Sequence, residues 1–329
     1  MSDDVPATNT PLPPSTAPDS FNICGRGFGT EEEAREVCGA VGAYVREFGR
    51  VFDLSALDGL TVAGDYAQAL SEFDRGVETA NKLAPTEGHV VGVAMTPCAL
   101  RDGVLKSHIF INAAYALPLK NEEDPDFPLA VHLLAHECAH VDATTKFDTA
   151  FPGVSLRMTY PDVWKQYRGR AMMACWDEYA ATHGSALFGR VPADDYEESF
   201  LGALERTRPQ ANEFIANYRT HRRVDQALDE VYTAYAELLK LAAYLLGDLD
   251  GADVPVPKRA RTTAALDGHW FRKYFDELHT ACRSLWAENG RWTSMAGFEA
   301  IADICDRVVA EGGLHPRYMA DGQVFVGIP

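Results

Sequence analysis

Apolar residues recur at helical spacing along most of the chain, and this periodicity predicts its helices. Thr30 followed by Glu33 is a capping-box pattern, and an apolar stripe with three- and four-residue spacing follows it. The pattern predicts a helix over about 31–49. A second, shorter helix is expected over 66–73.

A different pattern, rich in β-branched residues, occupies the next part of the chain. The stretches 89–99 and 104–112 are separated by a turn that contains Asp102-Gly103, and an Asp-Gly pair is a strong hairpin signal. The sequence therefore predicts a β-hairpin.

Helical spacing returns directly after this hairpin and continues almost to the end of the chain. Pro128 suits the first turn of a helix that we expect to run to about residue 144, with Asp126 as its cap. Later segments are expected to be helical, apart from a linker and one short strand. They are a helix over 169–188, a long helix over 224–246, a linker over 251–263, a helix through 271–285 and a strand over 324–326.

These elements predict an α+β fold in three parts. Residues 1–20 are rich in Pro, Thr, Ser and Asp and are expected to be a disordered tail. Residues 21–190 would form a core with a small sheet and hairpin. Residues 191–329 would form a mainly helical region, which the sequence leaves as either a separate domain or a part packed on the core.

Charge limits the partners of the chain. It carries 30 Lys and Arg against 48 Asp and Glu, a net charge of -18, which disfavours nucleic acid and anionic membrane surfaces. The short basic run 258–261 is interpreted as a solvated linker.

Cysteine usage and the first residues of the chain indicate a compartment. The seven cysteines are widely spaced and form no Cys-x-x-Cys pair, which is typical of a reducing cytoplasm. The chain has no apolar run of 18 residues, and its start has no signal-peptide pattern. We therefore expect a cytoplasmic protein.

The stretch His136-Glu137-Cys138-Ala139-His140 carries the clearest chemistry. On a helix, residues four apart lie on one face, so His136 and His140 can direct two imidazole nitrogens at one metal ion. Glu137 would lie beside a water on that metal. The spacing predicts a zinc site with Glu137 as general base.

A catalytic zinc usually takes three protein ligands, so the sequence must supply one more. A third histidine at metzincin spacing is excluded because Ala143 and Lys146 occupy the relevant positions. Glu178, on a later predicted helix, is the best alternative. Asp177 and Glu197 are the next candidates.

The combination of motifs resembles a known class of enzymes. H-E-x-x-H followed by E-x-x-A at Glu178 to Ala181 is similar to the gluzincins, and in particular to ImmA/IrrE-like intracellular metallopeptidases. The resemblance covers residues 90 to 190. It implies a zincin-like core in which an edge strand beside the motif helix holds an extended peptide.

The leading hypothesis is a zinc-dependent hydrolase that cleaves peptide bonds in a peptide or protein substrate. Zinc would acidify a water and polarise the scissile carbonyl, while Glu137 would move the proton to the leaving amine. The alternative is a catalytically inactive zincin-like module that binds a protein partner through its helical C-terminal region. The oligomeric state is left open.

Other residues near the motif are weaker candidates. His132 is expected to contact a ligand indirectly or to face solvent, Asp142 to orient a histidine or to face water, and Cys98 to be a small buried thiol. Three further side chains are considered as donors to an oxyanion, although packing is favoured for each. They are Tyr160, Tyr179 and His183.

Overall fold

A mixed five-stranded sheet with helices on both faces forms the first half of the chain, and helices dominate the second half. The computed structural model describes residues 12–79, 82–85, 92–157, 159–190 and 192–328. The strands of the sheet are β1 (Asn22–Arg26), β2 (Leu57–Ala63), β3 (Ala94–Met95), β4 (Cys98–Arg101) and β5 (Val104–Asn112). The helices of this half are α1 (Glu31–Phe48), α2 (Tyr66–Glu72), α3 (Ala113–Ala116) and α4 (Phe127–Ala150).

The second half begins with three long helices. Its elements are α5 (Val163–Ser185), α6 (Ala193–His221), α7 (Val224–Gly251), α8 (Ala260–Leu266), α9 (Arg272–Ala287), α10 (Ala296–Glu311), β6 (His315–Tyr318) and β7 (Val324–Gly327). Two short 3₁₀ turns, Leu117–Lys120 and Val256–Lys258, complete the set. The α+β class predicted from the sequence is confirmed.

The sheet places its antiparallel edge beside α4. Strands β1, β2 and β5 are parallel neighbours, and β3 and β4 both pair antiparallel with β5. One face packs against α1 and α4 through side chains such as Val62 and Ile109. The opposite face packs against α2, where Phe110 is buried.

Helix α4 is buried on both sides because it lies between two hydrophobic cores. Leu134 and Cys138 belong to the core beneath the sheet. Ala143 and Phe147 belong to the larger core that α5, α6, α7, α9 and α10 share. A helix in this position keeps even its polar side chains out of water, so the motif histidines are held in fixed positions.

The helical region packs directly on the helix that follows α4. A Cβ at Gly247 would clash with the carbonyl oxygen of Tyr179, and a Cβ at Gly251 would clash with that of His183. Glycine therefore allows α7 to lie with its backbone against the backbone of α5. Residues on both sides of the boundary predicted at 190 share one core.

Most predicted elements are present, with shifted ends. Helix α1 begins at its predicted cap, where Thr30 accepts a hydrogen bond from the Glu33 N–H. The hairpin turn has positive φ at Asp102 and Gly103, as an Asp-Gly turn requires. Residues 89–91 of its predicted first arm lie outside the described residues.

The structure differs from the sequence expectations at several places. Helix α4 continues six residues past the predicted end, because Phe147 extends the buried face, and Asp126 makes no capping hydrogen bond. Strand β1 was not predicted. The described part of the predicted tail, residues 12–20, is hydrogen-bonded to the segment that follows α1, since the Thr16 hydroxyl donates to the Gly49 carbonyl and Arg50 donates to the Pro13 carbonyl.

Candidate metal centre

Helix α4 brings the two motif histidines to one point. His136 and His140 lie four residues apart, and their Nε2 atoms are 3.1 Å from each other. The two ring planes are nearly perpendicular, with an angle of 88° between them. Two imidazole nitrogens at this distance match neighbouring ligands of one ion.

Helix α5 supplies a third atom that could bind the same ion. Glu178 Oε2 lies 3.6 Å from His136 Nε2 and 3.5 Å from His140 Nε2. Zinc bonds of about 2.0–2.2 Å place tetrahedral ligand atoms about 3.3–3.6 Å apart, close to this triangle. His136, His140 and Glu178, hereafter the donor group, could therefore hold a metal ion.

The polar atoms of the donor group are buried and incompletely paired. Among the described residues, His136 Nδ1 and Glu178 Oε2 have no hydrogen-bond partner. Burial alone would raise the pKa of Glu178, but the two histidines outweigh that effect and hold it well below its ordinary value. The carboxylate is thus ionised, as a metal ligand must be.

Asp177 contacts the His140 ring at the nitrogen that points away from the donor group. Its Oδ2 lies 3.1 Å from His140 Nδ1, whereas Nε2 of the same ring faces the donor group. A carboxylate in this position fixes the tautomer and orientation of a ligand histidine. Burial opposes a charge on His140, yet Asp177 and Glu178 raise its pKa well above its ordinary value.

The other ligand candidates are not members of the donor group. Asp177 is not in the donor group, and Glu197 accepts hydrogen bonds from Arg259 and Thr262. His132 is buried, with its ring nitrogens 3.2 Å from the Phe188 carbonyl oxygen and 3.3 Å from the Tyr196 hydroxyl.

Glu137 is held by a residue of the sheet edge. The Thr96 hydroxyl, between β3 and β4, donates a 2.6 Å hydrogen bond to Glu137 Oε2. Glu137 is only 4% exposed, and burial raises its pKa above the ordinary value. A carboxylate with a raised pKa can hold a proton more readily than one in water.

The donor group and Glu137 line one cavity of about 310 Å³. Residues 92–96 form one wall and helix α7 forms another. The side chains from α7 are Glu237, Lys240, Leu241 and Tyr244. None of these four was predicted, because on the sequence they belong to an ordinary helical stripe.

Tyr244, on α7, contacts the donor group directly. Its ring stacks on that of His136, with centroids 6.0 Å apart and an angle of 12°. Burial and the nearby Glu178 carboxylate raise the pKa of its hydroxyl well above the usual value, so the hydroxyl keeps its proton. It is therefore a hydrogen-bond donor in the cavity.

Lys240 and Glu237 form an ion pair of 2.7 Å on the same wall. Burial opposes the charge of Lys240, but Glu237 raises its pKa above the ordinary value. The α7 wall of the cavity is therefore polar at Glu237 and Lys240 and apolar at Leu241.

The three side chains considered as oxyanion donors do not line this cavity. The Tyr179 hydroxyl donates to Asp250 Oδ2 at 2.6 Å, and His183 stacks on Trp286 at 3.8 Å, both at a separate cavity. Tyr160 packs against Gly169 in the first half of α5.

The remaining candidates, Asp142 and Cys98, are not members of the donor group. Asp142 is buried and accepts hydrogen bonds from the Asp53 N–H and from Lys146, so it neither orients a histidine nor faces water. Cys98 lies outside the donor group, and burial raises the pKa of its thiol to about 11.

The expected peptide-binding edge is partly covered by the chain itself. The Leu100 N–H of β4 donates to the Arg75 carbonyl, and Arg75 Nε donates to the Cys98 carbonyl. Strand β4 therefore already has a neighbour on its outer side. Residues 94–96, which line the cavity, remain as the part of the edge nearest the donor group.

Comparisons with protein-family models, with curated proteins and with solved structures give no match for this chain. Within the described residues, no helix combines the length and the apolar character needed to span a membrane.

Proposed function

We propose that this protein is a zinc-dependent hydrolase of peptide bonds with a zincin-like core. The observation that carries the proposal is the donor group, whose ligand atoms lie 3.1–3.6 Å apart in a cavity that also contains Glu137. The mixed sheet with an antiparallel edge next to α4 supports the zincin-like assignment.

His136, His140 and Glu178 would hold the ion, and a zinc ion bound there supplies a Lewis acid that polarises a carbonyl and acidifies a water. Two neutral imidazoles and one carboxylate suit zinc and leave a fourth position open. Asp177, 3.1 Å from His140 Nδ1, would hold His140 in the tautomer that leaves Nε2 free to bind such an ion.

Glu137 acts as the proton carrier. Its carboxylate accepts a proton from the attacking water and delivers it to the nitrogen of the departing amine. The Thr96 hydroxyl holds one oxygen of this carboxylate, so the other is available to the water. The raised pKa of Glu137 favours its temporary protonation.

Tyr244 stabilises the negative charge that develops on the carbonyl oxygen. Its protonated hydroxyl is a donor in the same cavity, and such a donor contributes about 10²–10³ in rate. In this proposal the helical region completes the active site.

The first test is peptide cleavage by the full-length protein loaded with zinc. We expect it to cleave members of a random peptide library and to lose activity with a chelator. Glu137→Gln should retain about one zinc per chain and lose about 10²–10⁴-fold in rate, because the substituted amide cannot carry the proton.

Glu123→Gln is a matched control, since Glu123 is exposed and lies before α4. It should cleave as the parent does. A zinc-loaded parent that cleaves no peptide, or Glu137→Gln with the parental rate, would contradict the proposal. The first result would favour a binding module with a metal site.

A further inference from the structure

A second pocket, of about 190 Å³, adjoins the cavity of the donor group. It lies between β4, α4 and α5, and we call it the side pocket. Its main lining residues are Cys98, Thr144, Phe147, Met173, Ala174 and Trp176. Asp177 lines both the side pocket and the cavity, so the two spaces are neighbours on either side of this residue.

The sheet edge, α4 and α5 line both spaces. The side pocket is displaced from the cavity by one step, which is about one helical turn along α4 and α5. From the cavity to the side pocket, the sheet edge advances from Thr96 to Cys98 and α4 advances from His140 to Thr144. Helix α5 moves back one turn, from Glu178 to Ala174. The side pocket thus continues the cavity in one direction.

The length of this step matches a peptide. One helical turn rises about 5.4 Å, while an extended chain advances about 3.3 Å per residue. A substrate whose carbonyl lies at the donor group therefore places a side chain one or two residues away at the side pocket.

Apart from Asp177, the lining of the side pocket is uncharged and mainly apolar. Phe147 and Trp176 are 2% and 1% exposed, and Met173 adds a flexible apolar wall. The neighbouring polar groups Thr144 and Ser155 are uncharged, and the raised pKa of Cys98 keeps its thiol neutral. A charged side chain would lose its hydration there without gaining an ion-pair partner, except at Asp177.

The size of the side pocket sets an upper limit for its occupant. A cavity of roughly 150 Å³ in a hydrophobic core accommodates a benzene molecule. The side pocket, at about 190 Å³, has room for an isobutyl or a benzyl group.

We propose that the side pocket is a specificity pocket, which selects substrates with a leucine, methionine or phenylalanine side chain within two residues of the scissile bond. The inference rests on the proposed function, because it takes the donor group as the place of the scissile carbonyl. The substrates would then be peptides that carry an apolar residue within two positions of the scissile bond.

The test measures binding of metal-anchored probes rather than turnover. Leucine hydroxamate and leucylglycine hydroxamate are compared with their all-glycine counterparts, and mercaptoacetyl-leucine amide is compared with mercaptoacetyl-glycine amide. The two probe types extend from the metal in opposite chain directions. We expect the leucine member to bind at least about tenfold more tightly in at least one pair, as burial of its side chain implies.

Ala174→Leu fills the side pocket and should reduce this preference to less than about twofold. Ala264→Leu, at an exposed position of α8, is the matched control and should retain it. Met173→Ala enlarges the pocket and should move the preference from leucine to phenylalanine, which tests the proposal with a second fold-compatible variant.

Equal binding of glycine and leucine probes to the parent would overturn the inference, as would a preference that Ala174→Leu leaves unchanged. Metal content and cleavage are measured on the same samples. A parent that prefers leucine probes and cleaves no peptide contradicts the proposed function alone, while a parent that cleaves without apolar preference contradicts only the inference.

Discussion

Among the clusters of the described residues that place a histidine beside a carboxylate, two differ in how completely their polar atoms are paired. The first is the donor group on α4 and α5. The second lies on the sheet, where His108 Nδ1 is 3.1 Å from Asp58 Oδ2 and His108 Nε2 is 3.0 Å from the Thr61 hydroxyl. Arg101 donates two further hydrogen bonds to Asp58.

In the sheet cluster, each ring nitrogen of His108 and both oxygens of Asp58 have a partner within the chain. In the donor group, His136 Nδ1 and Glu178 Oε2 have none among the described residues. Buried polar atoms are normally paired, so a complete network is explained by stability alone. Glu178 Oε2 is one of three converging candidate ligand atoms, and a cation held by the donor group would pair it.

The largest expected effect separates the two clusters by metal content. His136→Ala should weaken zinc binding by about 10³-fold or more, since few ligands share the free energy of binding. His108→Ala should keep about one zinc per chain and lower the free energy of unfolding by about 2 kcal/mol. Metal analysis after dialysis and chemical denaturation measure the two effects, and equal zinc content in both variants would remove the distinction.

A smaller effect is expected from the carboxylate behind His140. Asp177→Asn should reduce zinc affinity by about 10–100-fold, because an amide orients the imidazole of His140 less well than a carboxylate does. Competition with a chromophoric chelator measures this change. Asp276→Asn, which alters an exposed ion pair on α9, is the control and should bind zinc as the parent does.

The smallest effect concerns the sheet cluster and depends on pH. Burial opposes ionisation of Asp58, but hydrogen bonds from Arg101 and His108 lower its pKa below the unfolded value. Its contribution to stability is therefore present above the unfolded pKa, near 4, and is lost as the pH falls through the folded pKa.

Asp58→Asn should accordingly lower the free energy of unfolding by about 1–2 kcal/mol at pH 7, with little change in zinc content. The difference from the parent should shrink below about pH 4. Urea denaturation across this range measures it. A difference that stays constant with pH would show that the pairing of Asp58 does not stabilise the fold.

The sequence predicts the parts of the site that depend on local geometry. His136 and His140 converge because residues four apart share a helix face, and Glu178 joins them from a helix that the periodicity also indicates. The hairpin follows from its Asp-Gly turn.

Contacts between distant segments explain what the sequence did not predict. Tyr244 and Lys240 lie more than 60 residues beyond Glu178, and their spacing is that of any buried helical stripe. Arg75 covers β4 through hydrogen bonds to the strand backbone, one at its own carbonyl and one from its side chain, and the pattern of apolar residues does not encode such contacts. Strand β1 was missed because no clear alternation of apolar and polar residues marks it.

The close approach of α7 to α5 also sets the dimensions of the cavity. Gly247 and Gly251 have no Cβ, so no side chain lies between the two backbones. The position of Tyr244 against His136 depends on this close approach. Substitutions at these two glycines can therefore change the distance between α7 and the donor group without changing any residue that lines the cavity. An alanine at either glycine would act as a spacer between the helices, and its effect would be felt one or two helical turns away.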